Sequence, residues 1–293
     1  VNGTLAKGGD YCEVVVSSAL NPAVAVTVKL VFEENLSVIL AEIPELEYTA
    51  DGDNTLDLSG YVSLLGGTGA QLGYAFVTET EGVTLNGSIL TLSKDVNNTA
   101  TFSIKVTATK GEETATSEVV TVSVKNLVAK QISTADEWLA IWTGDNDLSR
   151  LHMHNNYVLI NDIALGSSAK AFGLGDTNGY GFFGTLDGAG YTISWTNEIN
   201  VGWNSGFIAR VEKGAVVKNL AFEGKVKGTI AGAIGLCYGT VQDCFFNVAV
   251  TTTHASQCMG SAVAAICGGG TMKNVLSIGK VTTGGGPSGV YGK

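Results

Sequence analysis

The chain has 293 residues, of which 45% are apolar and only 15% charged, and it contains 39 glycines. Charged residues normally make up about 25% and glycine about 7%, so an architecture of long helices, which need Glu, Lys, Arg and Ala on their solvent faces, is excluded in favour of short strands and tight turns. The net charge of −10 comes with no basic stripe and no long uninterrupted apolar run, which speaks against nucleic-acid binding, attachment to anionic lipid and a bilayer-spanning helix.

The charge is uneven along the chain. Up to Asn126 six lysines face 16 acidic residues, whereas beyond it nine lysines and two arginines balance 11 acidic residues. The two parts are different objects. Residues 1–35 carry Val24, Val26, Val28, Leu30 and Phe32 at a period of two, the spacing of a half-buried strand. They are too few for a sandwich of their own and read as the tail of a preceding β module or as added edge strands.

Residues 36–126 continue in short alternating runs. Phe102, Ile104, Val106 and Ala108 point to one side of a strand, and Val120, Val122 and Val124 repeat the pattern. Val83-Thr84-Leu85 and Ile89-Leu90-Thr91-Leu92 flank Asn86-Gly87-Ser88, whose Asn-Gly pair tolerates the positive φ of a tight hairpin. Such spacing predicts a β-sandwich. Asp51, Asp53 and Asp57 are the candidate metal ligands, because alternate carboxylates on a loop can converge on calcium. The EF-hand order is missing, however: Leu56 stands where the loop needs Gly, Thr55 replaces a carboxylate or amide, and no Glu closes the loop. A solvated acidic turn is the preferred reading.

Beyond Leu127 a short helix is predicted, with Ser133 or Thr134 as its cap, Asp136 or Glu137 returning the hydrogen bond, and Trp138 and Trp142 on one face. It would lie as a lid on the end of a stack of strands. His152-Met153-His154 puts two imidazoles on one side of an extended segment near Asp145 and Asp147, a weak metal candidate beside the commoner reading of a polar loop. Tyr180, Trp195, Asn200, Trp203 and Asn204 lie in turn-rich stretches. Aromatic faces with amide donors suit a sugar ring or a protein groove, so these five are the candidate ligand-binding residues, with core packing of the aromatics as the competing reading.

An internal repeat is the strongest signal. Val217-Lys218-Asn219-Leu220, Val241-Gln242-Asp243-Cys244 and Met272-Lys273-Asn274-Val275 align at offsets of 24 and 31, and the match runs on to Val226, Val250 and Val281. Gly206-Phe207-Ile208-Ala209, Gly232-Ala233-Ile234-Gly235 and Ser261-Ala262-Val263-Ala264 precede the units. Units this short cannot bury a core alone and must stack as a solenoid. Asn219, Asp243 and Asn274 then form a column at a turn, where Asn and Asp tolerate left-handed backbone. Gly289-Val290-Tyr291-Gly292 would open another coil, so more chain or a partner is expected beyond Lys293. The five cysteines, Cys12, Cys237, Cys244, Cys258 and Cys267, form no C-x-x-C pair. Buried free thiols are the preferred reading, with one disulfide among the last four in an oxidising compartment as the alternative.

The run Asp51-Gly52-Asp53-Asn54-Thr55-Leu56-Asp57-Leu58-Ser59-Gly60-Tyr61, followed by the hairpin and the two closing strands, resembles bacterial immunoglobulin-like surface modules. Asn161-Asp162-Ile163-Ala164-Leu165, the stretch from Phe183 to Ile193 and the three repeats resemble right-handed β-helices of bacterial surface proteins, particularly those with GLUG-type repeats. The fold class expected is therefore all-β: an immunoglobulin-like β-sandwich over 36–126, then a right-handed parallel β-helix over 127–293 capped by a short N-terminal helix. The resemblance implies an extracellular or cell-surface protein that adheres to a glycan or a surface protein, the sandwich acting as spacer.

No catalytic residue and no cofactor is assigned. A polysaccharide lyase or hydrolase is the first alternative, but glycoside cleavage ordinarily needs two facing carboxyls. The columns Asn219, Asp243, Asn274 and Glu223, Asn247, Ile278 each hold one, and Lys225 and Lys280 flank Ala249 without an acidic cluster. A purely structural stalk is the second alternative. Esterase and nucleotide-binding signatures are missing from the sequence.

Overall fold

The structure, a computed structural model, describes residues 11–21, 23, 25–31, 35–174, 180–202, 205–252 and 260–283. The chain divides into two compact units. One holds the residues up to Ser123 except Tyr48–Gly52 and Asn97–Ala100, and the other holds those two short segments together with Val124–Lys293.

In the first unit the strand pairs set out below are antiparallel. The alternation from Phe102 to Ala108 marks its central strand, Thr101–Lys110, whose four apolar side chains are fully buried. Along one edge it pairs with Gln71–Thr78, and along the other with residues 120–123 and with Glu113–Thr116. Phe76 packs edge-on to Phe102 at 5.7 Å. The predicted hairpin joins Val83–Asn86 to Ile89–Leu92, with Gly87 at φ +59° taking the strained turn position while Asn86 pairs with Ile89. Thr55–Asp57 adds a third strand beside Ile89–Leu92.

Tyr11–Ser17 and Ala25–Val31 form a separate two-stranded ribbon. Val26 and Val28 are exposed there, contrary to the half-buried strand expected. Alternation gives a strand its apolar face, but a second layer must cover that face for burial, and the ribbon is a sheet of two strands only.

The second unit is a parallel β-solenoid of about five turns spanning residues 130–282. Its first face stacks Lys130–Ile132, Tyr157–Leu159, Thr185–Asp187, Val216–Lys218, the start of Thr240–Thr252 and Thr271–Ser277. The second face stacks Ile163–Gly166, Thr192–Gly202, Ala221–Gly228, the end of Thr240–Thr252 and Val281–Thr283. Ser205–Val211, Ala231–Cys237 and Val263–Ile266 form the third. The first two small-residue segments noted ahead of the repeat units lie within these third-face strands, and Ser261-Ala262-Val263-Ala264 leads into the third.

The repeat alignment gives the observed register. Val217 pairs with Val241 and Val241 with Met272, while Val226, Val250 and Val281 stand in one file. Asn219, Asp243 and Asn274 turn the corner between the first two faces with φ of 52°, 53° and 52°. Asn219 Nδ2 donates to Asp187 Oδ1 at 3.1 Å, and Asn274 Nδ2 to Asp243 Oδ1 at 2.9 Å. The Asn219 and Asn274 side chains therefore each tie their coil to the coil before it.

Inside the coils the aromatic rings stack. Phe222 and Phe246 lie parallel at 5.0 Å, and Trp195 lies on Phe207 at 4.2 Å. Helix α1, Ala135–Ile141, has the predicted capping box between Thr134 and Glu137. Trp138 is buried against Phe172 and Phe207 at 4.9 and 5.8 Å. The helix ends at Ile141, and Trp142, its extended C-cap residue, is partly buried against the same apolar core as Trp138. A second helix, α2, Asp147–His152, was not foreseen, and it replaces the extended segment read around His152-Met153-His154. Asn146 starts it by accepting from the Ser149 amide at 2.8 Å.

Candidate functional site

Of the predicted binding residues, Tyr180, Trp195 and Asn200 are among the described residues. Trp195 is 4% exposed. It occupies an irregular stretch of Thr192–Gly202 in which the register against Ala221–Gly228 shifts between Ser194 and Glu198. Its ring folds across the Gly224 backbone, where a Cβ would collide with it, and its Nε1 donates to the Lys225 carbonyl at 2.9 Å. Phe207 covers one face and Gly224 carries the ring edge, so the indole is a core strut.

Tyr180 is partly buried, and its hydroxyl accepts from Arg150 at 2.9 Å while the guanidinium sits 4.6 Å over its ring. Arg150 is itself held by Asp145 at 2.7 Å and Asp147 at 3.6 Å. Asn200 is exposed on the second face. Trp203 and Asn204 lie outside the described residues.

Each carboxylate of the candidate metal loop is spent on a local bond where a bond is seen. Asp53 accepts from the Thr55 hydroxyl at 2.7 Å and the Thr55 amide at 3.0 Å, which hold its carboxyl below the usual range. Asp57 caps the short helical turn Leu58–Tyr61 through the Ser59 amide, which lowers its carboxyl likewise. Asp51 is exposed in a turn. Among the described residues no group of three or more His, Cys, Asp or Glu side chains gathers as a metal site requires.

The histidine pair is also divided. His152 ends helix α2, while His154 stacks on Phe183 at 4.2 Å, and burial lowers its pKa from 6.5.

What the fold does gather was only partly anticipated from the sequence. An open groove of about 620 Å³ runs across the second face. Ser194, Glu223 and Asn247 stand in register on three successive coils, with Ile278 beyond them. Beside that row, Lys225 pairs with Ala249, and Lys280 follows on the next coil, its carbonyl accepting from Val250 at 2.8 Å. The sequence columns found these neighbours correctly; missing was the recognition that one outward row would flank a concavity. Trp195 and Thr196, within the register shift between Ser194 and Glu198, line the groove, and no periodic signal announces such a shift.

A second groove of about 720 Å³ follows the corner column and is lined by Asn219, Asp243 and Asn274. Its amide and carboxylate groups are engaged in holding the coils together, as is Asp187. Burial opposes charge on Asp187, but the Ala189 amide, Asn219 and Lys218 together hold its carboxyl below the usual range.

These features define an all-β protein whose larger unit is a parallel solenoid with a polar groove on one face. Comparison with family models, curated proteins and solved structures returned no match. No helix among the described residues is long and apolar enough to cross a membrane.

Proposed function

We propose that the chain is a noncatalytic binding part of an extracellular or cell-surface protein. In this reading residues 36–126 form an immunoglobulin-like spacer, and the solenoid is a right-handed β-helix of the bacterial GLUG type that makes the contact. Right-handed crossovers between parallel strands are the strong physical default, and the burial of Trp138 on Phe172 and Phe207 supports helix α1 as a lid on the first coil. Residues 1–35 are added edge strands or the tail of another module.

The observation that carries the functional reading is the second-face groove. It offers the Ser194 and Thr196 hydroxyls, the Asn247 amide, two ammonium groups and one carboxylate, Glu223. Convergent neutral donors and acceptors suit a polyhydroxylated glycan or a polar protein loop, whereas glycoside cleavage ordinarily places two carboxyls across one bond.

The test applies the purified chain to glycan and protein arrays beside the double variant Lys225→Ser/Lys280→Ser. Binding of one ligand class that weakens about tenfold or more in the variant, corresponding to ~1.4 kcal/mol, with an unchanged melting temperature, is expected. Release of new reducing ends or unsaturated sugar would instead establish polysaccharide cleavage. No binding on either array would favour a structural stalk.

A further inference from the structure

The side chains that project from the second face into its groove fall into two rows, two residues apart along each strand and so about 7 Å from one another. One row is Ser194, Glu223 and Asn247. In the other, Lys225 pairs with Ala249, and because Val250 pairs with Val281, Lys280 stands next to Ala249 on the following coil. Glu198 precedes Lys225 in this second row but lies outside the groove lining. Lys225, Lys280, Glu223 and Asn247 are all exposed. Among the described residues neither of the two ammonium groups has an ion-pair partner, whereas Lys218 has Asp187 at 3.0 Å. The Glu223 and Asn247 side chains make no bond among the described residues either, unlike the amides and carboxylates of the corner column. The polar groups of this groove are therefore open to a ligand, and those of the corner are not.

Lys225 and Lys280 are two coil steps apart, which parallel pairing sets at about 10 Å. Ala249 between them brings neither charge nor bulk. Building on the reading of this groove as the binding site, we propose that its ligand is a linear acidic glycan, in which uronic acids alternate with neutral sugars, lying along the solenoid axis. Successive carboxylates of such a chain are one disaccharide apart, a length that matches two coil steps. They meet Lys225 and Lys280 while the neutral sugar between them passes over Ala249. The hydroxyl edge of the chain faces the other row, where Ser194 and Asn247 donate and Glu223 accepts. Glu223 also fixes the orientation, because a chain laid with its acid edge on that row would set carboxylate against carboxylate. An acidic peptide fits less well, since an extended chain shows side chains on one side about every 7 Å.

The experiment titrates the full chain with a hyaluronan octasaccharide, its carboxyl-reduced neutral counterpart, an oligogalacturonate of the same length and a polyglutamate peptide, at low and at physiological salt. Hyaluronan should bind about tenfold more tightly than the reduced form, and the advantage should shrink as salt rises. Lys225→Ser/Lys280→Ser should bind the two forms alike, with an unchanged melting temperature. Ala249→Lys, which supplies a charge at every coil step, should move the preference towards oligogalacturonate. Equal affinity of the unaltered chain for both forms, weakened alike by Asn247→Ala, would overturn the acidic ligand and keep the groove as the binding site. Tightest binding of polyglutamate would overturn it in favour of an acidic protein segment. An Ala249→Lys chain that keeps the original preference would overturn the match in spacing. Silence towards all four probes would overturn the acidic glycan, and the arrays would then decide the reading of the groove separately.

Discussion

His154 shows how one residue's surroundings become a property of the whole chain. Its ring lies flat on Phe183, with 6° between the planes, and burial holds its pKa below 6.5. The folded protein therefore takes up this proton at lower pH than the unfolded chain does. Over that interval the unfolded state binds more protons, so stability must increase with pH. The contribution is complete above about pH 6.5 and is lost as pH falls below it towards the folded pKa. Urea midpoints at about pH 7.5 and about pH 5.5 should show a drop on acidification, and His154→Phe, which keeps the stack without the proton, should reduce it. Equal drops in both proteins would refute the assignment. The sequence could not show this environment: the residue before the histidine, Met153, is buried, and the stacking partner lies far along the chain.

Elements were legible where local chemistry and long-range pairing agree. The corner column is the clearest case, because Asn and Asp at the same place in each unit both tolerate left-handed backbone and mark the register. Asp243, at φ 53° and bonded to Asn274, separates the two roles. Asp243→Asn should be close to neutral and Asp243→Gly should lose mainly the side-chain bond. Asp243→Ala should cost about 2–3 kcal/mol, the left-handed penalty of ~1–2 plus about 1 for the bond, read from chemical denaturation. A Gly variant no more stable than the Ala variant would remove backbone strain from the explanation. Helix α2 and the fate of Trp195 were not legible for the opposite reason. The helix is only a turn and a half with no repeating apolar stripe, and the tryptophan turns inward because Gly224, on the next coil, leaves room for it. The five candidate ligand residues were chosen for their chemistry in turn-rich sequence. Composition of that kind does not say which side chains the coil winds inward, and of the three that are described, Tyr180, Trp195 and Asn200, only Trp195 reaches the groove lining.

At the scale of the molecule the solenoid is held by contacts between neighbouring coils, so a coil's stability depends on having a neighbour on each side. Phe222, Phe246 and Val250 are fully buried, whereas Met272, Leu276 and Ile278 in the last described coil are 41%, 60% and 61% exposed. Phe246→Ala should cost about 3–5 kcal/mol, while Val281→Ala, at the partly buried end of its file, should cost under about 1.5 kcal/mol. Amide exchange should be slowest through Ala221–Gly228 and faster in Thr271–Ser277, since local opening starts where few apolar side chains are buried. Uniform protection across the coils would contradict this picture. The parallel pairing also fixes a measure on the second face: backbone hydrogen bonds set each rung about 4.8 Å from the next, whatever side chains the rungs carry. A polymer aligned with the stack would read Ser194, Glu223 and Asn247 as evenly spaced marks, while one laid crosswise would meet a single coil's choice of groups. Substitution can rewrite the marks on this ruler but cannot change the interval between them.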